Sequence, residues 1–406
     1  MNSQNKLQTM NTRTWLALII LALSTFTIVT TELAPVGLLS PMASGLSVSE
    51  SKIGMTVSLY AWVGAASALL ASIFLGNISK KWLLLILTLV LFCSNIITAL
   101  VSSYSILLVA RVIGALAHGA FWAMIGATAV ALVPSKYIGV ATSIVFGGVS
   151  AASVFGIPLS NYIGINHGWR EAFWFMSSLS IISFIGILIL VPKISSNSTI
   201  GLNSLKKVFK SSTLWKIYSA TLLTITAHFA AFTYIEPLLH SQPLLKEQLI
   251  PLTLFVFGLA GLFGNFITGL VIDKNIKLTI STSILLIFIV LIYMGMHTAP
   301  LSLSTIITLI TIWGLSVSGI FVGFQTWVLK LAGDDVFPAS SIYVSFFNIA
   351  IGIGATIGAW IVSNYAISSL YLIAGIAIGL SLFLVAIIPT TSKEKDINLE
   401  KKYETN

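Results

Sequence analysis

Apolar runs of about 20 residues, each ended by a short polar or Gly/Pro-containing break, recur from Trp15 almost to the end of the chain. In hydrocarbon every backbone N–H and C=O must be bonded within the protein, so only helices and closed barrels can span a bilayer. The runs are about twice as long as a barrel strand and lack its polar/apolar alternation, which leaves helices. Reading the breaks places twelve spans, at about 14–41, 50–75, 82–101, 104–133, 137–164, 170–191, 213–239, 246–271, 277–296, 302–331, 338–364 and 369–389. With 57% hydrophobic and only 8% charged residues in 406, the chain lacks the polar surface that a water-soluble domain needs. The first run is followed by Thr31-Glu32-Leu33-Ala34-Pro35 rather than by a small-residue cleavage site, so it reads as a span and not as a signal peptide. The expected fold class is an all-α membrane protein.

The formal charge of +9 invites a nucleic-acid reading, but its placement argues otherwise. When loops are assigned alternately to two sides, one side collects Lys6, Arg13, Lys80, Lys81, Lys136, Lys193, Lys206, Lys207, Lys210, Lys216, Lys274, Lys277, Lys330 and the four tail lysines, and the other only Lys52, Arg170 and Lys246. The positive-inside rule then puts both termini in the cytoplasm of a multi-pass inner-membrane protein. The longest polar break, residues 194–212, reads as a cytoplasmic linker whose lysines touch anionic lipid. It separates a six-helix bundle over 1–193 from a second over 213–392, with a cytoplasmic tail at 393–406.

The halves echo each other at an offset of about 200 residues. "GALAHGAF" (114–121) lies over "GLSVSGIF" (314–321), and "TELAPVGLLS" (31–40) over "TYIEPLLHS" (233–241), each of the latter with a Glu just before a Pro. Two parallel halves of six spans, each with an acid near a matching helix end, are the layout of a transporter that rocks around a midplane site. The single cysteine, Cys93, cannot form an internal disulfide and reads as a small buried hydrophobe. No His/acid cluster has metal-ligand spacing and no nucleophile stands beside a base, so neither a metal, a cofactor nor an enzyme is expected.

The charges within the spans carry the functional reading, because a charge at the centre of a membrane helix costs roughly 2.5–3.5 kcal/mol on insertion scales. At about 1.5 Å of rise per residue, Glu32 and Arg111 fall at similar depths on the first and fourth spans, so they can pair. A cationic partner favours the ionised carboxyl and apolar burial the neutral one; a site that alternates between the two can carry protons, whereas a permanent pair would only join two helices. His118 follows Arg111 by two turns on the same face, placed to relay a proton or to bond a backbone carbonyl. On the seventh span His228, Phe232 and Glu236 form a stripe toward the outer end, where Glu236 either meets substrate or is hydrated. Asn348 near the middle of the eleventh span is placed to bind a polar solute or to join two helices. Tyr60 and Trp62 offer an aromatic platform suited to a sugar ring, or else helix packing; Phe121, Trp122 and Phe229 add apolar walls.

These motifs resemble those of the major facilitator superfamily over nearly the whole chain. "GNISKKWLLL" (76–85) stands where that family has its loop between the second and third spans, keeping Gly76, Lys80 and Lys81 but not the acid. "GLVIDKNIKL" (269–278) is its counterpart, with Asp273 and Lys274, and the resemblance implies gating by these loops. "RVIGALAHG" (111–119) is similar to the fourth-span motif linked to proton coupling, "GGVSAASVFGIPLSNYIG" (147–164) to the fifth-span antiporter motif, with Ile157 between Gly and Pro, and "GWREAF" (168–173) completes the pattern. "TTELAPVGLLS", "LYAWV", "AHGAFW", "GIPL", "TAHFAAFTYIEP" and "FNIAIGIGA" together resemble the bacterial sugar efflux transporters. The resemblance implies a major facilitator fold of twelve transmembrane helices in two pseudo-symmetric halves, monomeric, exchanging a sugar or sugar analogue for protons. A multidrug:proton antiporter and a non-transporting membrane sensor remain alternatives.

Overall fold

A computed structural model describes residues 10–75, 78–134, 137–194, 208–272, 274–297, 300–332 and 336–388. The first half comprises helices α1 (Thr12–Gly37), α2 (Leu39–Leu46), α3 (Glu50–Phe74), α4 (Lys80–Leu100), α5 (Tyr104–Ala131), α6 (Ile138–Ala151), a π turn (Ala152–Gly156), α7 (Ile157–His167) and α8 (Trp169–Leu190). The second comprises α9 (Ser212–Phe232), α10 (Ile235–His240), a 3-10 turn (Glu247–Leu249), α11 (Ile250–Val271), α12 (Ile276–Met296), α13 (Leu303–Leu331), α14 (Val336–Asn364) and α15 (Ile367–Ala386). Polar side chains start many of them: Asn11, Ser49, Ser103, Ser211, Asn275 and Ser302 each accept a backbone N–H of the first turn. Asp273, most of the expected linker and the whole tail lie outside the described residues.

The chain is all-helical, and 11 described helices are long and apolar enough to cross a membrane. The seventh expected span corresponds to α9, 21 residues long but loaded with Lys216, His228 and the threonines at 213, 221, 224 and 226. Three of those threonines and His228 are buried, or nearly so, among protein neighbours, so the polar side chains that lower the helix's mean hydropathy face protein. The description is consistent with twelve spans.

Three expected spans are broken rather than continuous, each for a stereochemical reason. Pro35 lies inside α1, and the chain turns at Leu38 before resuming as α2. In the fifth span the π turn directly precedes Ile157-Pro158; proline cannot donate to the carbonyl four residues back, and the wider turn makes room for its ring. The seventh span stops at Phe232, and the Glu236-Pro237 segment forms the separate helix α10.

At one end of the molecule several of the described cations lie against helix ends. Arg13 donates to the carbonyls of Ile189 and Leu190, Lys81 to Leu188, Lys80 to Ala127 and Lys277 to Ala386. The oxygens of residues 188–190 and 386 belong to the last turns of α8 and α15, where free carbonyls and the helix dipole favour positive charge, and Ala127 lies just before the last turn of α5. We call this the basic end. Near it the first half keeps its own apolar core, including Leu18, Leu84, Ile125 and Val145. Toward the opposite end one continuous core joins both halves: Leu38, Met42, Ile53 and Phe173 pack into the cluster that holds Tyr218, Ile235 and Trp313. The halves are therefore fused away from the basic end.

One expectation is corrected. Cys93 is exposed rather than buried, on the outward face of α4 that also carries exposed Ile86 and Leu89 at helical spacing. In a membrane span an apolar residue gains nothing by facing inward, so hydrophobicity alone does not assign it to the interior.

Candidate functional site

The interior site is built on the break in α1. Pro35 has no N–H, which deprives the Thr31 carbonyl of its helical partner. Arg111, 1% exposed on α5, fills the gap: Nη1 donates to Thr31 O at 2.8 Å and Nη2 to Glu32 O at 2.9 Å. The guanidinium lies 4.0 Å over the ring of Tyr60 from α3, and the Tyr60 hydroxyl donates to Gly114 O at 3.3 Å. Two amides brace the same stretch. Asn95 on α4 donates to Thr31 Oγ1 (3.1 Å) and Ser180 Oγ (3.3 Å), and Asn161 on α7 donates to the Gly37 carbonyl at 2.6 Å.

Glu32 therefore pairs differently from the expectation. Its carboxylate is only partly accessible and points into the protein, where Oε1 lies 3.7 Å from His118 Nε2. Arg111 holds the backbone of residues 31 and 32 instead of the carboxylate, and the Thr31 carbonyl is open to it because Pro35 offers no N–H. The 3.7 Å separation is too long for a hydrogen bond and short enough for a charge interaction whenever His118 is protonated. His118 is sealed between Tyr60 (5.3 Å) and Trp122 (6.2 Å), both edge to face, and its Nδ1 has no partner. Arg111 Nε is likewise buried without one. An acid, an imidazole and a guanidinium with unspent donors thus share one apolar interior.

Beside this constellation lies a cavity of about 190 Å³ between the halves. Leu33, Val149, Ser153 and Ile157 supply one wall; His228, Phe229, Phe232, Phe257, Asn265, Ser318 and Phe321 supply the other. Of the expected substrate contacts, His228 and Phe232 face it together with Phe229. The others lie elsewhere. Tyr60 supports Arg111; Phe121 is buried in the basic-end core of the first half, edge-on to Trp122 at 6.5 Å. Trp62 packs on Gly352 of α14, where a Cβ would collide with the indole, so this pair seals the two halves. The Asn348 amide donates back to Val344 O of its own helix at 2.9 Å.

Glu236 is buried, 1% exposed, rather than open to the outer surface. Its Oε2 accepts from Ser40 N (3.0 Å) and Ser40 Oγ (2.8 Å) of α2, and Ser40 Oγ also lies 2.7 Å from Glu50 Oε1. It thus closes the halves at the end opposite the basic one, beside the Ser58–Thr356 hydroxyl contact at 3.0 Å. The loop lysines 80 and 81 cap helix ends within the first half, and Lys274 is exposed. Asn265, Asn95 and Asn161 were not singled out from the sequence. Gly258, Gly261 and Asn265 share one face of α11 at spacings of three and four, a signal by which Asn265 was discoverable.

Two helical halves, broken helices at their interface and a polar interior next to a cavity are the architecture of a membrane transporter. The family model of the Major Facilitator Superfamily matches residues 15–338, and the chain belongs to that superfamily. Its fold is similar to that of a mutant of the nucleoside transporter NupG, with TM-score 0.74 and 14% identity, covering 92% of this chain and 99% of that one. It is also similar to the human organic anion transporter MFSD10 (TETRAN), with TM-score 0.66 and 14% identity, over 93% and 100% of the two chains. At such identity the likeness concerns the fold alone.

Proposed function

We propose that the protein is a proton-coupled exporter of sugars or sugar-like small molecules, working by alternating access as a sugar:proton antiporter. The observation that carries this reading is the Glu32 carboxylate set 3.7 Å from His118 inside an apolar interior, on the helix whose next residue, Leu33, lines the cavity. Proton binding there changes the charge next to the solute site, and exchange requires that proton and solute favour opposite-facing states. The cavity, smaller than the ~300–1,000 Å³ of drug-sized sites, suits a small solute, and its aromatic faces with a few polar groups suit a sugar ring. In this reading the basic end is cytoplasmic, with both termini, in an inner membrane. The bundles over 1–193 and 213–392 rock as a monomer, and the loops bearing Lys80, Lys81, Asp273 and Lys274 attend the cytoplasmic gate.

The test is uptake of a radiolabelled thiogalactoside into inverted vesicles carrying the purified protein under an imposed pH gradient. Gradient-driven accumulation that Glu32→Gln abolishes supports the reading; accumulation that survives Glu32→Gln with unchanged gradient dependence removes the proton-carrier role. Absence of any solute accumulation points to a sensor. One observation favours the multidrug alternative: Phe229, Phe232, Phe257 and Phe321 make the cavity wall mostly apolar. Uptake of lipophilic cations in place of sugars would decide for it.

A further inference from the structure

His228 carries a polar constraint in an aromatic setting. It is 1% exposed, stacked on Phe232 at 5.3 Å and edge-on to Phe229 and Phe321. Trp313 of α13, itself fully buried, places its indole Nε1 3.2 Å from His228 Nδ1, the two rings 83° apart. An indole N–H donates and cannot accept. Nδ1 must therefore offer a lone pair, and a neutral imidazole whose Nδ1 is bare carries its proton on Nε2. Protonating Nδ1 as well would set two N–H groups against each other and strand the Trp313 donor in the interior, a costly state for a buried polar group. Nε2 has no hydrogen-bond partner among the described residues, is not one of the sealed polar atoms, and belongs to a side chain that lines the cavity.

Two hydroxyls of the cavity are sorted as well. The Ser318 hydroxyl spends its proton on Gly261 O at 2.6 Å and that of Ser153 on Val149 O at 3.1 Å, so toward the cavity both act as acceptors. Among the described residues the Asn265 side chain has no hydrogen-bond partner, and it offers both a donor and an acceptor. A ligand that satisfies this lining brings an acceptor to His228 and donors to Ser318 and Ser153, while Ser150 and Asn265 can meet either. A neutral hydroxyl-bearing solute does both, since every hydroxyl is donor and acceptor; a bare cation does neither.

We propose that His228 is a specificity-determining residue, held by Trp313 as an uncharged Nε2–H donor, which selects neutral solutes bearing acceptor oxygens and excludes cations from the cavity. The proposal rests on the reading of this cavity as the solute site and deepens it. It is tested in two arms on the full chain in lipid nanodiscs. In the first, ¹⁵N NMR of histidine-labelled protein at neutral pH, assigned by loss of signal in His228→Gln, reads the tautomer. A neutral ring protonated on Nε2, becoming a tautomer mixture in Trp313→Phe, is expected; an imidazolium or an Nδ1–H tautomer overturns the proposal whatever the solute is.

The second arm measures binding of methyl thiogalactoside, of chloramphenicol as a neutral non-sugar with acceptor oxygens, and of tetraphenylphosphonium as a cation without them. Loss of one neutral hydrogen bond is expected to weaken the neutral ligand about 3–10-fold in His228→Phe. His228→Gln, whose amide still donates, is expected to restore part of the loss, which a merely structural role would not do. Chloramphenicol binding without thiogalactoside binding sinks the sugar reading and upholds the donor. Tetraphenylphosphonium binding in the cavity of the wild-type protein, unaffected by His228→Phe, overturns the donor's selecting role.

Discussion

Arg111 and Pro35 should be energetically coupled, because the arginine occupies an acceptor that the proline left vacant. Arg111→Met removes two bonds from a charged donor, at 2.8 and 2.9 Å, to carbonyls in the interior. At roughly 1.5–3 kcal/mol each, the expected destabilisation is about 3–6 kcal/mol. Pro35→Ala restores a backbone N–H four residues after Thr31. In the wild-type background it has little to offer, since the Thr31 carbonyl is already bonded. In the Arg111→Met background it can take over that carbonyl and relieve an unsatisfied buried acceptor, which is worth about 1–3 kcal/mol. Denaturant unfolding in detergent, followed by tryptophan fluorescence for the four proteins of the cycle, measures the coupling. Effects that add to within about 0.3–0.5 kcal/mol would refute the account and return Arg111 to the role of a plain partner for the Glu32 carboxylate.

Three further outcomes follow from single contacts. Glu236→Ala removes both bonds to Ser40 across the halves, and a cysteine placed at Ser44, beside the opening there, should label at least several-fold faster in a Cys93→Ser background; Glu236→Gln, which keeps an acceptor, should change it less. Gly119→Ala should cost about 1–3 kcal/mol in thermal unfolding, because the new Cβ runs into Gly64 O and Ala68 N of α3, whereas Gly147→Ala, with nothing within 4 Å, should be neutral. Lys81→Ala should lower stability by about 0.3–1 kcal/mol through the lost cap on α8, and Lys274→Ala should leave it unchanged; equal effects would mean that Lys81 does not act as a cap.

The fold was legible because lipid imposes one solution on a long apolar run, and the break residues mark where each helix ends. Residue patterns also bring Glu32 and Arg111 to similar depths, with His118 two turns along the same face as Arg111, since helix rise is nearly constant. What they did not reveal is which atom of a residue finds the partner. The sequence pairs Arg111 with the nearest opposite charge, but the pairing is decided by a backbone carbonyl whose vacancy depends on a proline three residues after Glu32. Span depth placed Asn348 near the middle of its helix, but not the direction of its amide, which turns back to Val344. The sequence places Glu236 toward the outer end of its span, but not the partner that its carboxylate finds in Ser40, 196 residues away. Such long-range partners leave no periodic trace, and a lone Asn such as Asn265 has the same appearance whether it joins helices or lines a cavity.

The bonds around the end of α1 also constrain how any coupling can travel. Residues 31 to 40 are held at Thr31 and Glu32 by Arg111, at Thr31 again by Asn95, at Gly37 by Asn161 and at Ser40 by Glu236. The first three holds come from helices of the first half, and the last crosses to the second. A charge change at Glu32 and His118 therefore acts on a segment whose far end, eight residues on, is tied to the other half. The broken helix is what makes this transmission short. An unbroken α1 would satisfy its own carbonyls and leave Arg111 and Asn161 with nothing to grip, whereas the Pro35 break and the helix end at Gly37 expose carbonyls at which side chains of α5 and α7 fix its angle. Because packed interfaces shift between discrete arrangements rather than bending continuously, the segment can either keep the Ser40–Glu236 contact or lose it. In the proposed exporter, that contact is where protonation at Glu32 meets the closure of the halves.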